Sequence, residues 1–189
     1  MSCPGISIVR LGAIVGLGVL FAACGEDPKP STPRDVLMHV YKYDETVRFG
    51  AGGDSHRFKA SGWSHAEDSF SWTDGHRATL LMQVSPSRSR RQLQMRMSGH
   101  TKSDDLPFQP VDVFVNGEKL ASWKVGPELA TYEAIIPKRM VNAGGLLTID
   151  LDIPRAISPI ALGGPPDPRQ LGLKCFEMRL VKASGAAAK

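Results

Sequence analysis

No uncharged stretch of this sequence is long enough to cross a bilayer. The uncharged apolar run Leu11 to Ala23, which ends before Cys24, holds 13 residues, whereas a spanning helix needs ~20. A multi-span membrane protein is excluded. Cysteine is scarce: Cys3, Cys24 and Cys175 are the whole supply, too few for a disulfide framework. Neither an HExxH segment nor Cys/His spacing of the zinc type occurs. No histidine lies beyond His100. There is no internal repeat and no heptad pattern. Charge of one sign is also missing in bulk, since 23 Lys and Arg face 19 Asp and Glu spread along the chain, unlike a nucleic-acid-binding stripe. What is present is globular: 42% hydrophobic and 22% charged residues, with 14 Pro and 19 Gly. That many turn formers argue against a helical bundle.

Residues 1–23 differ from the rest. Arg10 is their only ionisable side chain, and the apolar run that follows fits the ~7–15 residues of a signal-peptide core. Phe21-Ala22-Ala23-Cys24-Gly25 resembles the lipobox of bacterial lipoproteins, with Phe21 where that family usually has Leu. The resemblance implies cleavage before Cys24 and lipid attachment to it, hence a lipid-anchored, extracytoplasmic protein at the cell membrane, on its periplasmic or surface face. Ordinary secretion, with cleavage after the small residues, is the alternative. Cleavage would leave 166 residues carrying +3, enough for one domain. Residues 24–45 read as a tether and lead-in segment. The proline-rich stretch 25–34 reaches about 30 Å when extended. Residues 35–43 carry both a helical face and a strand-like alternation, and read as a short helix or an irregular entry segment.

From residue 46 the period is 2. Leu93, Met95 and Met97 alternate with polar neighbours, as do Val111, Val113 and Val115, and then Leu147, Ile149, Leu151 and Ile153. Further strands are expected at 46–49, 55–60, 77–84, 119–125, 131–136 and 172–181. The phase slips at Cys175-Phe176, as at a bulge or a strand buried on both faces. Asn116-Gly117 between two such runs is a type I′ hairpin signal. About nine short strands without amphipathic helices between them predict an all-β fold, a single antiparallel β-sandwich over 46–182. Residues 183–189 read as a disordered tail.

The densest chemistry lies in Gly62-Trp63-Ser64-His65-Ala66-Glu67-Asp68-Ser69-Phe70-Ser71-Trp72-Thr73-Asp74-Gly75. An aromatic face beside a carboxylate suits a sugar, the ring stacking on C–H groups and the carboxylate accepting from hydroxyls. The same rings could instead close one end of the core. With Val115-Asn116-Gly117, Ser158-Pro159 and Asp167-Pro168-Arg169-Gln170-Leu171-Gly172, this block resembles a jelly-roll, carbohydrate-binding-module-like domain often appended to envelope glycosyltransferases and polysaccharide-assembly proteins. The resemblance implies a β-sandwich in a glycan context and no catalytic residue.

The candidate ligand site is therefore Trp63, Glu67, Trp72, Asp167 and Arg169, with a Glu67–Arg169 ion pair joining the tryptophan block to the Asp-Pro-Arg loop. Asp167 is the other acid that could orient Arg169. No cofactor is expected. A structural Ca²⁺ would draw on Asp54, Asp74 and Asp167. Gly53-Asp54-Ser55 resembles an esterase nucleophile block, but the C-terminal histidine such chemistry needs is absent. Arg88, Arg90, Arg91, Arg96, His100 and Lys102 form a basic stretch, read either as a solvated strand face or as a surface for anionic lipid or glycan. The expected function is non-catalytic. The domain would bind or organise an envelope polysaccharide, with a glycan or polysaccharide-assembly proteins as partners, no nucleic acid, and the membrane reached through Cys24. A scaffold without a sugar site is the alternative.

Overall fold

The computed structural model describes residues 39–102 and 104–184. The expected signal peptide over 1–23, Cys24, the expected proline-rich tether and most of the expected tail lie outside the described residues. Within them the chain is nearly all strand: β1 (Val40–Tyr41), β2 (Val47–Arg48), β3 (Lys59–Ser61), β4 (Trp63–Ala66), β5 (Ser71–Asp74), β6 (Arg77–Val84), β7 (Arg91–Gly99), β8 (Gln109–Val115), β9 (Glu118–Val125), β10 (Ala130–Ile136), β11 (Gly145–Asp152) and β12 (Leu171–Lys182). The one α-helical turn among the described residues, Lys138–Val141, precedes β11.

Two sheets stack face to face, giving the expected β-sandwich. One runs β1-β6-β11-β8-β9, with β3 also on β6; the other runs β10-β7-β12-β5-β4, with β2 also on β12. All pairings are antiparallel except β1 with β6. The alternating residues meet between the sheets. Leu80, Leu93, Met95, Val113, Leu147, Ile149 and Leu180 are wholly buried, while their odd-phase neighbours are wetter. Burial of such side chains contributes about 1.5–3 kcal/mol each before the entropy of ordering them.

The hairpin at Asn116-Gly117 forms as its sequence requires. Val115 faces Glu118, and both turn residues have positive φ, 49° and 80°. Asn116 Oδ1 also accepts from the Thr148 amide at 2.9 Å, tying the turn to β11. The phase slip in the last strand is a bulge. Cys175 pairs with Met97 and Glu177 with Arg96, so Phe176 is the extra residue.

Three elements differ from the expectations. The segment 55–60 is a 3₁₀ turn (Ser55–Arg57) followed by the short β3. The tryptophan block, for which no strand is expected, supplies two strands, β4 and β5. The described part of the lead-in segment is a strand and not a helix. Its Tyr41 is 2% exposed, donates to Glu45 O at 2.6 Å and accepts from the Leu180 amide at 2.9 Å. A parallel place beside β6 satisfies this backbone, so no helix is needed there.

Candidate functional site

The two tryptophans take opposite faces of one sheet. Trp63 in β4 pairs with Thr73 in β5, and Thr73 is fully buried, so the Trp63 ring turns inward with it. It lies 5.1 Å from the Phe49 ring, and its Nε1 donates to Thr79 O of β6 in the other sheet at 2.8 Å. Gly62 sets this approach. Its φ is +74°, and a Cβ there would stand 1.9 Å from Arg77 O. Only glycine lets β4 come this near to β6. Trp63 is therefore a structural bridge between the sheets.

Trp72 is one place out of phase with Thr73 and points to the outer face. Its cross-strand partner is Lys174 of β12. The Lys174 ammonium sits 5.0 Å from the Trp72 ring and 5.3 Å from Phe70. Phe70 and His100 meet Trp72 edge-on at 5.7 and 5.5 Å, and Phe176 lies 5.3 Å from Phe70. Phe176, Phe70, Trp72 and His100 thus form a half-buried aromatic row on the outside of the second sheet. The bulge at Phe176 puts that ring in the row.

The Glu67–Arg169 ion pair is not formed. Arg169 closes on Asp167, with Nη2 to Oδ2 at 2.7 Å and Nε to both carboxylate oxygens at 3.1 Å. The Arg169 amide also donates to Asp167 Oδ1 at 3.0 Å. Its remaining arm, Nη1, donates to Ser64 Oγ at 2.9 Å. An acid two residues away needs little chain ordering to capture the guanidinium, and the alternative partner named from sequence prevails. The bond from Arg169 holds the Asp167 carboxyl below the usual carboxylate range. The tryptophan block and the Asp-Pro-Arg loop are still joined, through Ser64. Glu67 instead stands 3.7 Å from His65 Nε2 and influences Arg169 only through space.

His100 connects the loop to the aromatic row. Burial first, then the Lys174 ammonium, pushes its pKa down, and Asp167 opposes both. Glu67, Trp72, Asp167 and Arg169 therefore share one neighbourhood, and Trp63 does not. The sequence reading missed Phe70, His100, Lys174 and Phe176. Lys174 is recoverable from the period-2 phase of β12; Phe176 is not, because its direction depends on the bulge.

Beside the row the outer face hollows into a groove. A cavity of about 310 Å³ is lined by Arg48, the Gly50–Gly53 turn, Asp68, Arg96, Phe176 and Glu177. A second, of about 150 Å³, continues it past Gln94, Thr131 and Arg179 and shares Arg96 and Glu177. The proposed calcium donors do not converge. Asp54 accepts from the Arg48 amide, Asp74 from the Gln170 amide, and Asp167 is held by Arg169. No group of three potential metal ligands gathers among the described residues. Ser55, the would-be esterase nucleophile, is 3% exposed.

No family model matches the chain, and no curated protein is similar to it. Several solved structures are similar in shape. The CBM22-1 xylan-binding domain from Paenibacillus barcinonensis is 13% identical, with a TM-score of 0.46 over 77% of this chain and 99% of that one. The CBM36-1 domain of a multidomain xylanase from the hindgut metagenome of Trinervitermes trinervoides is 13% identical, at 0.45 over 74% and 98%. A family 35 carbohydrate-binding module from an environmental isolate is 14% identical, at 0.40 over 80% and 89%.

Proposed function

We propose that this chain is a lipid-anchored, extracytoplasmic lipoprotein whose sandwich binds an envelope polysaccharide without catalysing a reaction. The observation that carries the binding role is the outer-face position of Trp72, flanked by Phe70, His100 and Lys174. A half-exposed indole offers an apolar platform to the C–H face of a sugar ring. The Lys174 ammonium beside the ring offers hydrogen bonds to sugar hydroxyls, and the adjoining groove gives further residues of a polymer room to lie along the sheet. Millimolar binding corresponds to only about −4 kcal/mol, within reach of one platform and a few hydrogen bonds.

The paired acids among the described residues are held in the ionised, ion-paired form rather than poised as proton donors. The hollow on the other sheet holds Asp112 and Asp152, but Lys119 and then Ser122 keep Asp112 below the usual carboxylate range, and Arg77 grips Asp152. A glycosidase acid needs a raised pKa. The second reading, a scaffold for polysaccharide-assembly proteins, is favoured by the inward turn of Trp63, which removes one of the two expected platforms.

Titrating soluble envelope glycans into the chain carrying Cys24→Ser, followed by indole fluorescence, tests the binding role. Saturable quenching that disappears in Trp72→Ala supports it. No response to any glycan leaves the scaffold. Cell fractionation with a high-salt wash, which strips electrostatically held protein, tests the anchor separately: Cys24→Ser should release the protein from membranes or block its processing, and unchanged processing with salt-resistant retention would overturn the anchor.

A further inference from the structure

The basic stretch in the sequence does not form one patch. Strand β7 runs the length of its sheet, so it carries Arg88, Arg90 and Arg91 to one end and His100 and Lys102 to the other. At the first end other elements add to the charge. The loop 85–90 sits at its centre. The Ser87 amide donates to Val141 O, which brings in the helical turn with Lys138 and Arg139. The Ala183 amide donates to Arg90 O, and Lys182 pairs with Arg91, which brings in the end of β12. Tyr43 donates to Ser85 O and stacks under Arg91 at 3.7 Å, which brings in Lys42.

The acids at this end are already engaged. Asp44 faces Arg91, Glu45 faces Lys42, and Glu118 is held by Arg139. Arg88, Arg90, Lys138 and Lys182 are exposed and have no ion-pair partner among the described residues. The unmatched charge at the rim is therefore positive, and the nearest acid outside these pairs, Glu133, lies further along β10, bound by the Gln92 and Gln94 side-chain amides. At the opposite end the charges interleave, Lys102 with Asp105, Arg77 with Asp152, and Arg169 with Asp167.

Two further facts orient this end. The described chain begins here, since Val40 and Tyr41 lie beside Gln83 and Val84. Even fully extended, the stretch from Cys24 to His39 spans at most roughly 50 Å. Val40 and Leu146, 53% and 45% exposed, flank Gln83 on one face and place apolar side chains next to the basic rim.

We propose that this basic end is a contact surface for a membrane rich in anionic phospholipid. Arg88, Arg90, Lys138 and Lys182 would sit among the headgroups, and the aromatic row would face away. The proposal uses the lipid-anchor reading for orientation, but the charge match stands without it.

The test uses the chain with Cys24→Ser, which has no lipid, and sedimentation with vesicles of phosphatidylcholine alone or mixed with phosphatidylglycerol. Binding should appear only with the anionic vesicles and weaken as salt is added. Each basic residue near such a surface is worth about fivefold in affinity, so the triple variant Arg88→Gln, Arg90→Gln, Lys182→Gln should bind roughly a hundredfold more weakly. Its thermal midpoint should not move. Lys102→Gln, at the far end, should bind as the parent does. Failure to bind anionic vesicles, equal binding to both kinds, or an unaffected triple variant would overturn the proposal. So would capture of an acidic polysaccharide by these residues without vesicle binding. Glycan titration at Trp72 and fractionation of Cys24→Ser are separate measurements, so the failure of either reading is distinguishable from failure here.

Discussion

Arg169 and Ser64, 105 positions apart in sequence, are joined by a 2.9 Å hydrogen bond from Nη1 to Oγ. That bond pins the Asp-Pro-Arg loop against β4 and holds one wall of the aromatic site in place. Replacing Arg169 with Met should free the loop. Glycan affinity should fall about tenfold while the melting temperature drops only a few degrees, because a charge-assisted bond at a partly exposed site contributes about 1 kcal/mol. Calorimetric titration together with thermal unfolding would show it. A collapse of the fold would contradict this assignment.

The two tryptophans should separate cleanly in mutants. Trp63→Ala removes a ring packed against the core and leaves the Thr79 carbonyl without its donor, so urea denaturation should show a loss of about 3 kcal/mol. Trp72→Ala should change stability by less than about 1 kcal/mol, since it faces outward. Equal losses would mean that both rings are structural.

Gly117→Val should destabilise the sandwich through backbone strain alone. A Cβ at Gly117 meets nothing within 4 Å, but its φ of +80° is hostile to a branched residue. The expected cost is about 1–3 kcal/mol. Asn116→Ala should cost less in strain and additionally lose the bond from the Thr148 amide. Chemical denaturation of the two variants side by side checks the ordering.

Acid should weaken the fold before its carboxylates titrate. His100 has a pKa below its ordinary value near 6.5. Folding thus favours the neutral ring, and the stability this provides is present above that value and declines as pH falls through the folded pKa. The melting temperature should drop as the pH falls below about 6.5, and His100→Gln should flatten that slope. Asp167, held low by Arg169, stays ionised through this window, so its link to the loop persists until the pH falls below the usual carboxylate range.

Cys175 should resist thiol reagents in the native state. It is fully buried, and burial pushes its thiol pKa far up, with Lys59 opposing only in part. Labelling by an aromatic disulfide should proceed at the rate of unfolding and accelerate in Trp63→Ala. Rapid labelling of the folded protein would refute the burial.

The sandwich was legible in the sequence wherever a strand is wet on one face and dry on the other, as in Leu147, Ile149 and Leu151. The Asn116-Gly117 turn was legible because its backbone geometry admits few residues. β4 and β5 were not. They are four residues long, β4 lies at a sheet edge, and their register shifts between Trp63 and Ala66, which leaves no sustained period. The inward turn of Trp63 could not be read either, since it follows from pairing with Thr73, a relation between strands. The partner of Arg169 was decided by proximity along the chain, a competition that residue types alone do not resolve. Most of the aromatic row escaped for a similar reason: it gathers side chains from a turn, two strands and a loop.

Strand β12, the last of the described strands, lies between β7 and β5 and also carries β2 on its edge. Every strand of the second sheet except β10 and β4 touches it. During synthesis that sheet is therefore split into unpaired pieces until residues 171–182 appear. Contacts such as Val47 with Met178 bridge almost the whole domain, giving it a high contact order and a slow closure. Until the final strand arrives, β5 and β7 expose hydrogen-bonding edges that other chains could pair with. The domain is thus dependent on the twelve residues of β12 for assembly: a nascent chain halted before residue 171 should be sensitive to proteases and prone to aggregate, and should become resistant only when β12 is supplied.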